Sequence, residues 1–382
     1  MQMPPFLLDD WLNHYHFAST PPEFDLASST GPITSAREIL ELMTPDERAR
    51  FDEMQLIYSA GKGKEPLRQA IGDLHGVGAD QVQILTGASE ALLSLFFLAA
   101  ESGANVLLPF PGYPPTGVEA RLLGLETRFY HLRRENDFEI DLEEIKKLAD
   151  SKTKLLLVNS PHNPTGATVS NAQMRELHDF AVERGIPFVS DEVYHPIYHH
   201  EETSSAAVLP HAIVVGSFSK ALSLSGLRVG WIIDRNPARL QQYLDARGYF
   251  TISNSPFAEE LALVALRHRD RILTRTRNSA AANLSVLDQF FAEWEEELGW
   301  VRPRGGMVSF PWLKRGGDAR EFCRGIAERG TLLAPGDCFG MPDHFRLGFG
   351  VTEKGFAEGL QRISDHLRSL AGKVVSTTTV SV

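Results

Sequence analysis

The feature that most constrains this chain is a regular alternation, from about residue 81 to residue 235, of short apolar runs with longer stretches of helical periodicity. Each run is nearly continuous in aliphatic character, as expected of a strand buried on both faces. Strands that alternate with helices in this way form mainly parallel sheets covered by helices. The pattern therefore predicts an α/β fold, with strands at QVQILT (81–86), NVLLP (105–109), TKLLLVN (153–159), IPFVS (186–190), AIVVG (212–216) and RVGWIID (228–234).

Two helices are predicted between these strands from their periodicity and from the glycines that follow them. One spans 89–103 and is closed by Gly103, and the other spans 171–185 and is closed by Gly185. Helices commonly end at a residue with left-handed backbone conformation, often a glycine. The glycine positions therefore agree with the helix ends that the periodicity indicates.

The sequence pattern changes near residue 278, where short strand-like runs and amphipathic helical stretches predict a smaller α+β domain. The first 45 residues are interrupted by prolines, and we expect them to pack with that domain rather than fold alone. The predicted organisation is therefore a segment at 1–45, a large α/β domain at 46–277, a small domain at 278–370 and a disordered tail at 371–382.

Charge and composition narrow the functional classes. The 38 Lys and Arg residues against 49 Asp and Glu residues give a net charge of −11, which argues against general nucleic-acid binding. The most apolar stretch, 91–100, is about half the length needed to cross a bilayer, so no membrane span is expected. The chain start lacks the features of a secretory signal and there are only two cysteines, which predicts a cytoplasmic protein.

In such a sheet, ligands bind beyond the carboxyl ends of the strands, and the segments that follow the predicted strands carry informative residues. GASEA at 87–91 offers backbone N–H groups to an anion, although it is also an ordinary helix start. Tyr113, in a stiff Pro-rich loop, can stack on a flat ring. Asn163, in NSPHNPTG, is either an amide donor to a ligand or part of a plain turn.

The fourth predicted strand is followed by SDEVY, which places Asp191 at the strand end and Tyr194 three residues later. A carboxylate directly after an apolar strand is costly unless it meets a cation or hydrogen-bond donors. Asp191 therefore either faces a ligand together with Tyr194 or caps a helix.

The fifth strand is followed by Ser217, Ser219, Lys220 and, eight residues further on, Arg228. A lysine held among apolar neighbours can act as an amine nucleophile towards a carbonyl, while the hydroxyls and the guanidinium suit a phosphate. Taken in order, the strand-end residues describe a site for a flat phosphorylated aldehyde, and pyridoxal 5′-phosphate fits each part. Lys220 would form a Schiff base with it, and Asp191 would keep the pyridine nitrogen protonated.

The same motifs make the chain resemble the class I and II aminotransferases of the fold-type I pyridoxal-phosphate enzymes. The resemblance covers roughly residues 25–365 and rests on Tyr58 with GKGKEPLRQAI, GASEA, NPTG, SDEVY, SFSK, Arg228 and FRLGFG. It implies a large domain with a mainly parallel seven-stranded sheet and a small α+β domain built from both chain ends. It also implies a homodimer with shared active sites that moves an amino group from an α-amino acid to a 2-oxo acid by a ping-pong mechanism.

The resemblance also assigns roles to individual residues. Lys220 carries the covalent link to the cofactor and moves the proton between the substrate α-carbon and the cofactor, while Asp191 pairs with the pyridine nitrogen. Tyr113 is the stacking ring, and Asn163 and Tyr194 bond the ring hydroxyl. The phosphate contacts it implies are Ala88, Ser89, Ser217, Ser219, Arg228 and, from the neighbouring subunit, Tyr58, and Gly87 also belongs to the predicted cofactor-binding residues.

For the substrate, the resemblance implies that Arg346 holds the α-carboxylate, aided by Asn163 and Gly31. Members specific for dicarboxylates carry a second arginine just before a Ser-Asn-Pro loop, and the aligned place here is about Tyr249. A preference for aspartate is therefore not expected, although Arg247 lies close enough that a small register change would restore it.

A finer similarity keeps a second reaction open. The stretches LDDWLNHYHF, PHNPTGA, GYFTISNSP, RPRGGMVSFP and PGDCFGMPDHFRLGFG are similar to capreomycidine synthases, a branch that dehydrates and cyclises a hydroxylated arginine on the same cofactor. Because the same substrate carbanion can expel a β-substituent, elimination or cyclisation is the alternative to transamination.

Two other interpretations are less favoured. His195, His199 and His200 invite a metal hypothesis, but Pro196 opposes a regular helix there, and we expect no metal. Fold-type I modules also form the effector-binding parts of transcription regulators. The acidic charge, and the roughly 25 residues that precede the resemblance, predict that this chain is not one of them.

Overall fold

The computed structural model describes residues 3–378. By their internal contacts these residues divide into two compact units. The large unit contains 33–277 and 303–306, and the small unit contains 5–32, 278–302 and the described residues from 307 onward. The domain limits drawn from the sequence stay a prediction; in the structure, 5–32 belong to the small unit, whereas 3–4 and 33–45 belong to the large one.

The strands in the described range are short in the small unit and longer in the large one. They are β1 Phe24–Asp25, β2 Val82–Leu85, β3 Asn105–Phe110, β4 Glu126–His131, β5 Thr153–Asn159, β6 Phe188–Asp191, β7 Ala212–Ser217, β8 Gly230–Ile233, β9 Leu298–Gly299, β10 Val308–Ser309, β11 Trp312–Leu313, β12 Thr331–Leu332, β13 Ala334–Pro335 and β14 Phe345–Gly348.

The helices alternate with the strands through the large unit. They are α1 Leu7–His16, α2 Ala36–Leu40, α3 Pro45–Asp52, α4 Glu65–His75, α5 Gly87–Ala99, α6 Pro114–Leu122, α7 Leu142–Leu148, α8 Asn171–Glu183, α9 Pro237–Phe250, α10 Pro256–Arg267, α11 Arg269–Glu293, α12 Ala319–Ala327 and α13 Phe356–Thr378. No helix in the described range is long and apolar enough to cross a membrane.

The large unit is built on a seven-stranded sheet with the order β2-β8-β7-β6-β5-β3-β4. Only β8 runs against its neighbours β2 and β7, and the other pairs are parallel. This confirms the predicted α/β fold with a mainly parallel sheet. All six predicted strands form. Strand β4 was not predicted, because it is an edge strand with exposed and half-buried polar positions that obscure the apolar pattern.

One of the two predicted helix ends is confirmed and the other is wrong. Gly185 has a φ of 66° and its N–H donates to the Val182 carbonyl at 3.0 Å, so it closes α8. By contrast, α5 ends at Ala99 because Ala100 is extended, with a ψ of 104°. Gly103, although its φ is 75°, belongs to the turn that enters β3.

The two faces of the sheet are covered differently. On one face, apolar residues of α5 pack against Ile213 and Val215 of β7 and against Ile232 of β8. Because side chains alternate along a strand, Val214 and Gly216 of β7 point to the opposite face. We call these the α5 face and the opposite face. The parallel strands β5, β6 and β7 end at the same edge and deliver three of the loops predicted to carry chemistry.

The small unit contains a three-stranded antiparallel sheet, β10-β14-β13, and the short pairs β1-β12 and β11-β9. Its N-terminal segment runs beside β14, where the Gly348 N–H donates to the Leu26 carbonyl at 2.7 Å. The last helix, α13, includes the first part of the segment predicted as a tail. Residues 379–382 of that prediction lie outside the described range.

Candidate active site

The start of α5 is shaped by glycines that let a guanidinium approach the helix. Gly87 has a φ of 75°, and a β-carbon placed on it would lie 2.7 Å from Nη2 of Arg228. A β-carbon on Gly230 would lie 2.5 Å from the Gly87 carbonyl carbon and 2.7 Å from the Ala88 nitrogen. The N-cap residue Thr86 gives the helix no side-chain cap. The helix N-terminus and Arg228 therefore form one positively polarised cradle, as an anion requires.

Arg228 is held in this position by its backbone as well as by its side chain. Its φ of 52° lies in the left-handed region, and its Nη1 donates to the Ser225 carbonyl at 3.2 Å. The Asn254 amide donates to the Arg228 carbonyl at 3.3 Å and to the Leu85 carbonyl at 3.1 Å. Asn254 was not singled out from the sequence. Its position in a Ser-Asn-Ser loop gave no sign that it ties the end of β2 to Arg228.

Tyr113 lies at the start of α6 and contacts the same cradle. Burial raises the pKa of its phenol above the ordinary value, and the charge of Glu119 adds to this effect. A hydrogen bond with Ser89 and the charge of Arg228 act in the opposite direction, and Asp191 is also close enough to raise the pKa. The phenol is thus kept neutral and fixed beside the N-terminus of α5.

Asp191 ends β6 as a buried carboxylate that is 6% exposed. Burial raises its pKa to about 6, an effect opposed by the Val193 N–H, which donates to Oδ1 at 3.2 Å, and by the charge of Lys220. A nearby cation would therefore favour its ionised form. The structure brings this carboxylate and the Lys220 amine of the next strand's loop within electrostatic reach of each other.

Asn159, which was not predicted as a site residue, connects the loop that carries Asn163 to the end of β6 by hydrogen bonds. Asn159 donates through Nδ2 to the Asp191 carbonyl at 3.0 Å and accepts from the Asn163 N–H at 2.8 Å. It thus fixes Asn163 relative to Asp191. Asn159 is the last residue of an apolar strand, and a partly buried amide at that place needs partners, which is the sequence signal that could have identified it.

The remaining candidates of the large unit lie in or beside the loops that follow β6 and β7. Ser217 Oγ accepts from the Ser219 N–H at 3.3 Å, and the Lys220 carbonyl accepts from the Ser223 N–H at 2.9 Å. The Ala221 N–H donates to the Val193 carbonyl at 3.3 Å, which ties the lysine loop to the loop of Tyr194. Tyr194 itself is fully buried.

Two predicted substrate-binding residues belong to the small unit. Arg346 in β14 is 1% exposed, donates through Nη2 to the Ala27 carbonyl at 2.8 Å and lies 5.1 Å from the centroid of the Phe339 ring. The buried Gly31 follows in the segment that runs beside β14. The small unit therefore holds a buried guanidinium beside the N-terminal segment, and the substrate-binding role of Arg346 and Gly31 stays a prediction.

Tyr58 and Tyr249 are the predicted residues that point most clearly to solvent in the single chain. Tyr58 is 79% exposed and is preceded by the exposed Leu56 and Ile57. Tyr249, at the place aligned with a second substrate arginine, is 89% exposed.

Arg247, by contrast, is fully buried and its guanidinium is committed to the fold. Its Nη1 donates to the carbonyls of Gly61 at 2.8 Å and Ile84 at 2.5 Å, and its Nη2 bonds Asn254. The possibility that a small register change gives Arg247 a substrate contact is therefore wrong. Arg247 links the same Asn254 that supports Arg228.

The histidines after β6 make ordinary protein contacts. His195 Nδ1 lies 2.9 Å from the Tyr198 hydroxyl, and His199 Nε2 lies 2.7 Å from the Gly306 carbonyl. Across residues 3–378, no group of three or more His, Cys, Asp or Glu side chains is arranged to hold a metal ion.

Comparison with known proteins places this arrangement in a family. Residues 26–363 match the family described as aminotransferase class I and II. Capreomycidine synthase of Streptomyces vinaceus is 30% identical over 371 residues, which cover 96% of this chain and 94% of that protein. Among solved structures, a pyridoxal-phosphate-dependent aminotransferase from Streptococcus suis shares 29% identity with a TM-score of 0.90, covering 97% of this chain and 99% of that one. The pyridoxal-phosphate-dependent cyclase OrfR shares 31% identity with a TM-score of 0.88, covering 97% and 98%.

The family match spans most of the chain, and the similar structures share its architecture over nearly their whole length. Gly87 begins α5 directly after β2, Asp191 ends β6, and Lys220 follows β7, so these residues lie at the strand ends where the sequence predicts a cofactor site. The chain belongs to the class I and II aminotransferase family of pyridoxal-phosphate-dependent enzymes.

Proposed function

We propose that this enzyme transfers the amino group of an α-amino acid to a 2-oxo acid, with Lys220 as the group that moves the substrate α-proton. The observation that carries the proposal is the buried Asp191 within electrostatic reach of Lys220 at the ends of adjacent strands. A buried carboxylate with a perturbed pKa beside a lysine marks a candidate functional site, and a cationic ring bound there would favour the ionised form of Asp191.

The residues around α5 fit the phosphate of pyridoxal 5′-phosphate. Arg228 and the N–H groups of Ala88 and Ser89 offer donors in the cradle that a β-carbon on Gly87 would fill. Ser217 and Ser219 add hydroxyls at the end of β7. A guanidinium with several fixed donors at a helix N-terminus suits a dianion.

The ring would lie between Tyr113 and the loops that follow β5 and β6. Asp191 would hold the pyridine nitrogen in its protonated form, and Asn163 and Tyr194 would bond the ring hydroxyl. When bound, the cofactor accepts the electron pair that remains on the substrate α-carbon after its proton leaves. The protein's own task is to hold that ring in place and to position the Lys220 amine for the covalent link and for proton transfer.

For the substrate, we propose that Arg346 binds the α-carboxylate, with Asn163 and the N-terminal segment at Gly31. The support is a guanidinium that is buried and fixed by Ala27 and Phe339. Because Arg247 is bonded to the backbone of the fold, it offers nothing to a second carboxylate. We therefore propose a donor amino acid other than aspartate.

A second reaction has specific support. Capreomycidine synthase and the cyclase OrfR match this chain over almost its whole length at 30% and 31% identity. In this alternative, Lys220 removes the same α-proton from a hydroxylated arginine, and loss of the hydroxyl with ring closure replaces transfer of the amino group. The cofactor-binding residues would be the same in both reactions.

We also propose a homodimer in which Tyr58 reaches the phosphate of the partner subunit. Leu56, Ile57 and Tyr58 are 76%, 68% and 79% exposed, and three consecutive large apolar side chains in water are costly. Gel filtration with light scattering should give a mass near twice 42.4 kDa, and a monomer that retains full turnover would contradict the shared site.

The test of the reaction uses the purified enzyme with pyridoxal 5′-phosphate and single amino acids, including arginine and its hydroxylated form. Each is incubated with and without a 2-oxo acid, and the products are separated and identified. A new amino acid formed from the 2-oxo acid supports transamination. A dehydrated or cyclic product formed without a 2-oxo acid supports the alternative, and no product from any amino acid contradicts both.

A further inference from the structure

A buried pair of opposite charges lies beside the first turn of α5, in the large unit. Arg247 of α9 is fully buried and Glu90 of α5 is 6% exposed, and Nε of Arg247 lies 3.6 Å from Oε1 of Glu90. Thr251 joins the two, because its hydroxyl donates to Glu90 Oε1 at 2.6 Å and accepts from Arg247 Nε at 3.3 Å. The two charged groups are therefore fixed relative to each other and largely removed from water.

Glu90 brings a negative charge to the place where the proposed phosphate would bind. Its Oε2 accepts from the Thr86 N–H at 2.5 Å, directly before the first residue of α5. A carboxylate in the first turn of a helix satisfies the same partial positive charge that a bound anion would use. Without compensation, this buried carboxylate would repel a phosphate dianion held by Ala88, Ser89 and Arg228.

Arg247 supplies the compensating charge. A guanidinium stays protonated inside a protein, although burial lowers the pKa of Arg247 and the charges of Glu90 and Glu259 oppose that effect. Glu259 is the second carboxyl group near Arg247, but burial raises its pKa, and its Oε2 accepts from the Ser59 hydroxyl and from the Lys64 N–H. Glu90 is therefore the carboxylate whose charge depends on Arg247 for balance.

The same guanidinium also holds the other parts of the cradle in place. Its Nη1 donates to the Ile84 carbonyl at 2.5 Å, one residue before the end of β2, and its Nη2 bonds Asn254. The Asn254 amide in turn donates to the carbonyls of Leu85 at 3.1 Å and of Arg228 at 3.3 Å. One buried residue thus connects the end of β2, the start of α5 and the backbone of Arg228.

We propose that Arg247 and Glu90 are positioning residues for the cofactor phosphate, a buried charge pair that keeps the cradle positive without touching the cofactor. The inference rests on the proposed placement of the phosphate between Arg228 and the N-terminus of α5. It requires opposite effects from the two members of the pair. Loss of the guanidinium leaves an unbalanced negative charge beside the cradle, whereas loss of the carboxylate removes that charge. A pair that only supports the fold would weaken binding in both cases.

The test compares the binding of pyridoxal 5′-phosphate with that of 5′-deoxypyridoxal, which has the same ring and aldehyde but a methyl group in place of the phosphate-bearing arm. Both are titrated into the full chain freed of cofactor, at one pH and ionic strength, and protein fluorescence reports binding. The ratio of the two dissociation constants gives the preference for the phosphorylated aldehyde. Changes in ring binding or in the covalent link to Lys220 affect both ligands and cancel in that ratio.

R247M, which leaves Glu90 unbalanced, should lower this preference roughly tenfold or more. E90Q should raise it roughly twofold to tenfold, because it keeps the shape of the side chain and removes the charge. E90Q/R247M should recover most of the loss seen in R247M, since no charge is left unbalanced. A lowered or unchanged preference in E90Q, or an unchanged one in R247M, would overturn the proposal.

Removing one member of a buried pair destabilises a fold strongly, so a second variant supports the test if R247M does not fold. R247K keeps the charge but not the planar fork, and it should retain the preference within about threefold of the wild type. R239M is the matched control. Arg239 lies in the same helix and pairs with the buried Asp234, which follows β8 at the opposite end from Gly230. R239M should leave the preference unchanged.

The variant R228A separates this inference from the placement of the phosphate. It should lower the preference roughly tenfold to a hundredfold, because it removes a charge-assisted contact to the phosphate. An unchanged preference in R228A would contradict the placement itself and the inference with it. A loss in R228A without the opposite effects of R247M and E90Q would overturn only the roles of Arg247 and Glu90.

Discussion

Asp191 and Glu192 are neighbours at the end of one strand, yet they serve opposite faces of the sheet. Both are buried, and burial raises both pKa values, to about 6 and about 7. Asp191 lies near the Lys220 amine and the loops of the proposed cofactor site, whereas Glu192 bonds Ser190, Ser205 and the Ala206 N–H and lines a mostly apolar cavity. Because side chains alternate between the two faces of a sheet, neighbouring carboxyl groups at a strand end lie on opposite faces and can have different roles.

The largest expected effect is a loss of turnover from a substitution in the proposed cofactor site, where Asp191 and Lys220 lie. Lys220→Ala should leave the fold and phosphate binding intact and lower turnover by roughly 10³-fold or more, because it removes both the covalent anchor and the proton carrier. Steady-state kinetics with the responding amino acid, together with circular dichroism, measures this. Turnover near that of the wild type would exclude the proposed role.

The comparison is sharpened by changing each carboxyl to its amide. Asp191→Asn should lower turnover by roughly 10²–10³-fold, since it removes the charge proposed to hold the ring nitrogen protonated. Glu192→Gln should lower turnover by less than about tenfold, because Glu192 lies on the other face. Equal losses in the two variants would break the distinction between the faces.

A smaller effect is expected for the carboxylate contact. Arg346→Ala should raise KM for every substrate by roughly tenfold to a hundredfold with a lesser change in kcat, because it removes a charge-assisted contact of about 1.5–3 kcal/mol. Arg346→Lys should recover part of the loss. An unchanged KM in Arg346→Ala would mean that another residue holds the α-carboxylate.

The smallest effect concerns stability rather than turnover. The pKa of Glu192 is raised from 4.5 to about 7 in the folded protein, so the folded state holds a proton that the unfolded state releases between these values. The free energy of unfolding should therefore fall as pH rises from about 4.5 to about 7, by roughly 1–3 kcal/mol from this group. Denaturation at several pH values should show a shallower fall for Glu192→Gln, whereas the exposed Glu176→Gln control should follow the wild type.

Much of the fold and of the site was open to prediction from the sequence, for identifiable reasons. The strands that precede Asp191 and Ser217 are continuous apolar runs, and such runs have few alternatives to a buried strand. The motifs follow these strands directly, so their place at the sheet edge needed only the rule for parallel sheets. Strand β4 and the end of α5 were not predicted correctly. The apolar pattern of an exposed edge strand is weak, and so is the local sequence signal for a helix end.

The supporting residues could not be predicted in the same way. Asn159, Arg247 and Asn254 each bond backbone groups that are distant in the sequence, with separations of 32, 163 and 169 residues in three of these bonds. No local pattern encodes such partners, because the partner atoms are ordinary carbonyl groups. A substrate contact would need Arg247 to be exposed, and only the structure shows that it is buried.

The sequence by itself determined the family and the predicted strands whose ends carry the candidate residues Lys220 and Asp191, because these depend on residue type and spacing. Only the tertiary structure decided that Arg247 is structural and that Glu192, Trp231 and His75 share a cavity. The physical reason is that burial and pairing are properties of three-dimensional neighbours. The chain brings those neighbours together across 39 to 156 residues, and no short segment contains them.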